Sequence, residues 1–459
     1  MKILIVGAGR VGTSVAENLV SEHNDITIID ADASRLADLQ ERFDLRGVVG
    51  DGSQVSSLRR AGAEDADMLI ACAASDAVNL VTCKIARMVF NVPRRVARVR
   101  SPELPGMPEL LGEDGFCVDA VITPEGSVTA YLQRLIEFPE ALQVVEVGDG
   151  RVSVITMRVS SSGFMAHHKL QDLRVMRPDV NARVVDILRG GRPVSVSSET
   201  VLLPGDELLL IADTAHAHQA VHQMHKSQES VRRIMIAGGG NIGARVARNL
   251  AQNGYNVRII EHNLARCEEL ASTLPDNVLV LHGNGTDESL LQREGIEDTH
   301  TWLALTSEDE DNIMSSLLAK KMGARRVIAL INRQAYGELM QGSHIDIALS
   351  PSQATMSELL RYVRHGDIVA AHRLRGGVAE VLEMVAHGDR KSSRVVGRRI
   401  SELDLPKGAS VGAIVRGEEI IISDSTMFVE SGDHVIVFVP SKAQVAKVEK
   451  LFQVSASFF

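Results

Sequence analysis

Aromatic side chains are scarce in this chain of 459 residues: they make up 3%, with a single Trp. Few rings are left to stack on bases or sugars, which weighs against a nucleic-acid platform of that kind. Positive charge is also short, 49 Lys and Arg against 59 Asp and Glu, for a formal net charge of −10. Nucleic acids and anionic membrane surfaces both need a positive field opposite them, so both are disfavoured as partners. Cysteine is sparse too. Cys72, Cys83, Cys117 and Cys267 lie far apart without CxxC spacing, which argues against a zinc knuckle or a disulfide framework and for reduced, packed thiols. No apolar run reaches the roughly 18 residues that cross a bilayer. Glycine at position 7 interrupts the first strand too early for a signal peptide, so a cytosolic protein without direct membrane insertion is expected.

What the chain has in quantity is repetition. "KILIVGAGRVG" (Lys2 to Gly12) returns as "RIMIAGGGNIG" (Arg233 to Gly243). Gly7, Gly9, Gly12 and Asp30 fall on Gly238, Gly240, Gly243 and Glu261 without a shift in spacing. Farther on, Asp76 and Asn79 answer Asp309 and Asn312, and "VVDILRGGRPV" and "PGDELLLIA" return as "VGAIVRGEEII" and "SGDHVIVFV". Within each half, apolar runs of strand length alternate with helix-period segments, the pattern of a parallel sheet wound with helices on both faces. The fold class expected is α/β: two Rossmann-like doubly wound parallel-sheet domains, each followed by a small mixed α/β domain. The boundaries fall at residues 1–123 for the first nucleotide-binding unit, 124–142 for a crossover helix and 143–227 for the first small unit. The second copy gives 232–350, 351–367 and 368–453. The small units read as compact mixed sheets with one or two helices, and the polar stretch from His216 to Ser230 as the central linker. Each crossover helix carries an apolar stripe, Val128, Leu132, Leu135 and Ile136 in the first and Met356, Leu359, Leu360 and Val363 in the second. Such a stripe packs either on its own domain or on a neighbouring repeat or subunit. In the third-strand turn, Ser53 is a candidate cap for the helix "QVSSLRRAG", and Gly62 closes it.

A lone GxGxxG is weak evidence. Here each follows a strand, opens a helix and is followed by an acidic residue at the end of the next strand, 18 residues after the last glycine. The first glycine allows the tight turn, the second lets phosphate approach the backbone, and the third lets helix and strand pack closely. The helix N-terminus offers unpaired N–H groups and a positive dipole. Asp30 and Glu261 would accept from ribose hydroxyls and repel a 2′-phosphate, so NAD(H) or another adenine nucleotide is preferred to NADP. Arg10 stands where the second copy has Asn241, which predicts a first cradle that tolerates more phosphate charge, as in ATP, than the second. Asp51 and Asn284 either line the adenine side or form their own turns. Ala73 and Ala74 follow the fourth strand and correspond to Thr306 and Ser307, while Arg98 on the fifth strand faces Ala329. His216, His218, His222 and His225 have a helical spacing that can bind zinc, but no carboxylate or cysteine completes a set, and a solvated helix is expected with no metal. Tyrosine–lysine, histidine–carboxylate and Walker A arrangements are not apparent, which suits ligand sensing better than turnover.

The paired "GAGRVG…IID" and "GGGNIG…IIE" cradles, with "RLIEFPEALQVV", "ITPEG" and "AHGD…SRVVGR", closely resemble the regulatory subunits of bacterial Trk potassium-uptake systems, which carry tandem RCK (KTN) domains. The resemblance runs end to end. It implies a non-enzymatic, cytoplasmic protein, peripheral on the inner face of the cell inner membrane, that binds NAD(H) and ATP/ADP. Its partners would be an integral-membrane potassium transporter subunit of the TrkH type and further copies of itself, as a dimer or tetramer ring. The first site implied uses Gly7, Ala8, Gly9, Arg10, Val11, Asp30, Asp51, Ala73, Ala74 and Arg98. The second uses Gly238, Gly239, Gly240, Asn241, Ile242, Glu261, Asn284, Thr306 and Ser307. Alanines at 73 and 74 stand where the family usually has hydroxyl residues. The alternatives are a soluble NAD-dependent oxidoreductase and a nucleotide sensor with another partner.

Overall fold

The structure is a computed structural model that describes residues 1–20, 24–101, 103–161, 163, 165–172, 181–224, 232–340, 344–363, 368–374, 377–422 and 426–454. The chain divides into two compact units, residues 1–128 with 354–363 and residues 129–353 with 364–459.

In the first unit, six parallel strands are β1 (Lys2–Val6), β2 (Asp25–Asp30), β3 (Arg46–Val49), β4 (Met68–Ala71), β5 (Arg94–Arg98) and β6 (Ala120–Ile122). Their order is β3-β2-β1-β4-β5-β6. The central strands are buried on both faces, which explains why "KILIV" and "MLIA" are apolar throughout rather than alternating. Val6 pairs with Ile29 and with Ala71, so the ends of β1, β2 and β4 open together at the point where strand order reverses. Ligands of open α/β sheets bind at such a switch point. The helix after β3 spans Val55–Arg60, and its cap position is Gln54, without a side-chain bond. Ser53 does not cap it, because its hydroxyl donates to Asp51 Oδ1 at 2.7 Å. Gly62 does close it, with φ of 85° and its N–H on the Arg59 carbonyl.

Part of the second crossover helix (Pro351–Val363) belongs to this unit. Arg94 Nη1 donates to the Tyr362 carbonyl at 2.6 Å, satisfying an orphan acceptor in the last turn. Ser127 Oγ donates to Glu358 Oε1 at 2.5 Å.

The second unit contains the repeated sheet. Its strands β12 (Arg233–Ala237), β13 (Asn256–Glu261), β14 (Val278–His282), β15 (Thr301–Ala304), β16 (Arg326–Leu330) and β17 (Ile347–Leu349) take the order β14-β13-β12-β15-β16-β17. Arg326, the counterpart of Arg94, donates to the carbonyls of Leu135, Phe138 and Ala141 at the end of the first crossover helix (Pro124–Glu137). These contacts tie each helix end to the sheet of the other repeat, and the stripe residues of both helices are buried.

The small units each hold five strands. The first has β7 (Ala141–Val147), β8 (Val152–Arg158), β9 (Ala182–Arg189), β10 (Arg192–Val194) and β11 (Glu207–Asp213), in the order β10-β9-β11-β8-β7. The second has β18 (Ile368–Leu374), β19 (Ala379–Val385), β20 (Ser410–Arg416), β21 (Glu419–Ile422) and β22 (His434–Val439), in the order β18-β19-β22-β20-β21. The mixture is one of helix and sheet, since the ladders themselves are antiparallel. The repeated "GD" has a structural cause. Asp206 and Asp433, both buried, hold Arg189 and Arg416 at 2.9 and 2.8 Å. Burial alone would raise the Asp206 carboxyl, but hydrogen bonds from Arg189 and the Leu203 N–H hold it below the usual range. The two sheets share one core, in which Leu209 and Ile211 meet Val381, Val415 and Phe438. At Gly412 a side chain would begin 2.0 Å from Ile211 Cδ1, so any larger residue would have to displace the tip of Ile211.

The linker expectation needs correction. Thr214–Met224 is a helix of the first small unit, with Ala217 and Val221 buried in its core. His218 stacks on Phe138 with centroids 3.9 Å apart. His225, the His222 side chain and the rest of the stretch to residue 231 lie outside the described residues.

Candidate functional site

Each cradle is built from the same three contacts. Gly7 and Gly238 turn with φ of 101° and 103°, and a side chain there would begin 2.8–2.9 Å from the backbone after the fourth strand, at Ala73 and Thr306. Gly12 and Gly243 leave room for the carbonyls of Gly7 and Gly238, 1.8 and 2.0 Å from where a Cβ would stand. Gly9 and Gly240 differ from both, because nothing lies within 4 Å of a Cβ at either position. The middle glycine serves the space in front of it, not the fold behind it. The helices Arg10–Val20 and Asn241–Gln252 begin at that space and direct their unpaired first-turn N–H groups toward it.

The acidic residues are held by their own loops. Asp30 Oδ2 accepts the Ala8 N–H at 2.6 Å, and Oδ1 accepts the Asp32 N–H at 2.8 Å. Glu261 Oε2 accepts the Gly239 N–H at 2.8 Å, and Oε1 accepts the Asn263 N–H at 2.9 Å. Both Asp30 oxygens and Glu261 Oε2 keep a further lone pair for a ligand hydroxyl, while Glu261 Oε1 also has His262 Nδ1 at 3.0 Å. The second carboxylate is one methylene longer, and the chain compensates at the residue it bonds. A Cβ on Gly239 would lie 3.2 Å from Glu261 Oε2 and 2.4 Å from Leu270 Cδ1, where the first cradle has Ala8 beside Asp30. Arg266 Nε also donates to the Gly239 carbonyl at 2.9 Å.

Arg10 and Asn241 are exposed as the first residues of their helices, with Val11 and Ile242 half-buried behind them. Asp51 and Asn284 form turns: each side-chain oxygen accepts the N–H and hydroxyl two residues on, from Ser53 and Thr286. The loops after β4 and β15 carry Ala73 with Ala74 and Thr306 with Ser307. The Thr306 hydroxyl is engaged with Asn312 Oδ1 at 2.8 Å. Arg98 donates to Glu125 Oε1 at 3.0 Å, while its buried Nε has no hydrogen-bond partner. Its structural counterpart is Leu330 and not Ala329, because Asn79 Nδ2 bonds the Arg98 carbonyl and Asn312 Nδ2 the Leu330 carbonyl. One residue fewer between helix and strand in the second copy shifts the register.

Those two asparagines are the residues that sequence reasoning missed. Each is fully buried and ties the loop after the fourth strand to the end of the fifth. Asn79 accepts the Ala73 N–H and donates to the Ala73 and Arg98 carbonyls. Asn312 does the same for Thr306 and Leu330. Their recurrence at equal spacing was the available signal. Cys72, behind the first loop, is buried, and burial pushes its thiol up to about 12 despite the nearby Arg98, so it stays protonated.

A dinucleotide-type cradle, made twice and each time handed on to a small antiparallel unit, defines the tandem RCK class. A solved structure described as the GsuK RCK domain has this fold: TM-score 0.62, 17% identity, 98% of this chain and 94% of that one covered. A GsuK channel bound to NAD aligns with a TM-score of 0.61 at 18% identity, over 98% of this chain and 78% of that one. The TrkA-N domain family matches residues 3–124 and 234–351, and the TrkA-C domain family residues 154–225 and 390–453. The chain belongs to the family of Trk system potassium uptake protein TrkA. Relatives of that name are 47% identical in Halomonas elongata, 46% in Vibrio alginolyticus and 43% in Haemophilus influenzae, each over 459 residues and the whole of both chains. Among the described residues no helix is long and apolar enough to cross a membrane.

Proposed function

We propose that this chain is the nucleotide-responsive regulatory subunit of a Trk-type potassium uptake system. In this reading it is a cytoplasmic protein held at the inner face of the membrane by an integral-membrane transporter subunit, and it assembles with copies of itself. Both cradles take adenine nucleotides. The first, with Arg10 at the helix start, favours the higher phosphate charge of ATP or ADP, and the second favours NAD(H). No bond need be made or broken. A ligand shifts the regulator, and through it the transporter, by binding one arrangement more tightly than another.

The observation that carries this reading is the open space over Gly9 and Gly240, flanked in each copy by a helix N-terminus and a carboxylate anchored to the loop. The name shared by full-length relatives supports the transport role. Gly9→Val and Gly240→Val test it, because each adds bulk toward that space from a Cβ that has no non-neighbouring heavy atom within 4 Å. Titrations should show ATP affinity falling at least tenfold in Gly9→Val and NADH affinity falling at least tenfold in Gly240→Val, with unfolding temperatures close to that of the parent chain. Unchanged binding of both nucleotides in both variants would refute the sites.

A further inference from the structure

The segment from Gly388 to Ile400 in the second small unit carries Arg390, Lys391, Arg394, Arg398 and Arg399 against one acid, Asp389, in a chain of net charge −10. Asp389 is committed locally, its Oδ1 accepting from the Lys391 N–H, the Ser392 N–H and the Ser392 hydroxyl at 2.8–2.9 Å. Val395 and Val396 anchor the segment inward, while Arg390, Lys391, Arg394 and Arg399 are exposed. The Arg390 stem lies over Gly397, and the buried Nε of Arg398 has no hydrogen-bond partner among the described residues. Arg399 sits 5.2 Å over the ring of Phe428, which is 48% exposed.

The fold does not require these charges. The first small unit makes the same turn: His167 donates to the Leu202 carbonyl and Leu202 returns a bond to His168, as Gly397, Val429 and Arg398 do here. His167 and Gly397 also share a left-handed backbone, with φ of 67° and 74°. That register sets Ser160, Ser161, His168 and Lys169 opposite Arg390, Lys391, Arg398 and Arg399, and Val201 stands opposite Phe428. The one lysine is already paired, with Glu199 at 2.6 Å. Among the described residues this turn therefore carries a cluster of cations in the second copy and, at the matching positions of the first, one paired lysine. Clustered like charge is unfavourable unless an anionic partner offsets it.

This inference rests on the proposed transport role, which would hold the chain beside a bilayer. Cytoplasmic loops of membrane proteins are themselves rich in Lys and Arg, so a basic loop is repelled there and attracted by the acidic lipids between them. A ring beside cations suits the headgroup layer, where aromatic side chains concentrate. We propose that the Gly388–Ile400 loop, with Phe428, is a docking surface for anionic lipid headgroups, a local exception to the chain's overall charge.

Full-length protein would be sedimented, without nucleotide or transporter, with vesicles of phosphatidylcholine alone or mixed with phosphatidylglycerol. Binding should need the phosphatidylglycerol and weaken with salt. It should fall on the order of 100-fold in the exposed-site variant Arg390→Ser/Lys391→Ser/Arg394→Ser, at about fivefold per cation. Lys169→Ser, in the first small unit, should change nothing. Equal binding to both vesicle types, full retention in the triple variant, or capture of RNA in place of vesicles would overturn the proposal. None of these outcomes touches the nucleotide reading.

Discussion

Glu261 is one methylene longer than Asp30, yet both deliver a carboxylate oxygen to the N–H of the second cradle residue. The pairings Ala8 with Asp30 and Gly239 with Glu261 conserve the space between loop and acid. Gly239→Ala should therefore cost about 1–3 kcal/mol of stability, the usual range for overpacking, and weaken NADH binding. Gly239→Ala with Glu261→Asp should recover part of both losses, since it relieves the 3.2 Å approach to Glu261 Oε2 but not the 2.4 Å approach to Leu270 Cδ1. A double-mutant cycle by thermal unfolding and NADH titration reads the coupling, and simple additivity of the two losses would count against this explanation. At this scale the glycines and acids were legible because each answers a local demand, a left-handed turn, a close approach or a strand end. Ser53 was not, and Asp51 and Asn284 were legible only as one of two open readings. A short polar side chain before a helix can bond the helix or its own turn with similar ease, and here the turn won. Nor did the sequence distinguish Ala329 from Leu330 opposite Arg98, since the missing residue lies in an otherwise featureless helix-to-strand passage.

Elements were readable by period, but not the partners of their faces. The two crossover helices have near-identical apolar stripes, and nothing in a stripe says which repeat will cover it. The contacts that tie each helix end to the other repeat come from Arg94 and Arg326, the first residues of β5 and β16, whose guanidinium groups reach the last-turn carbonyls of the opposite helix. Burial pulls Arg326 down to about 10, still well above neutrality, so its cap persists at working pH. A titration enters in the second small sheet. In β18, burial, with a smaller contribution from the charge on Arg134, pulls His372 down to about 4 from an ordinary value of 6.5. Between those values the unfolded chain binds a proton that the folded chain does not, so stability falls as pH is lowered from 6.5 towards 4. In His372→Gln that part of the acid dependence should vanish. Denaturant midpoints across this range check it, and an unaltered slope would show that His372 does not contribute.

At the level of the whole molecule the repeat is the main finding. One sequence pattern, written twice, gives two cradles alike in backbone and unlike in charge, with Arg10 and Arg98 in the first and Asn241 and Leu330 in the second. It also gives two small sheets fused through one core, the second of which carries a basic loop. Repetition made the architecture legible, since each half predicts the other. The departures from repetition hold the chemical differences between the copies, and their consequences depend on three-dimensional neighbours that spacing does not reveal. The central claim is that nucleotide state is converted into transporter state. Potassium flux through the reconstituted transporter subunit, with and without this chain, across ATP and NADH concentrations, tests it most directly. Flux should depend on the chain and respond differently to the two nucleotides, with Gly9→Val erasing the ATP response and Gly240→Val the NADH response. Flux unchanged by the chain and by both nucleotides would contradict it.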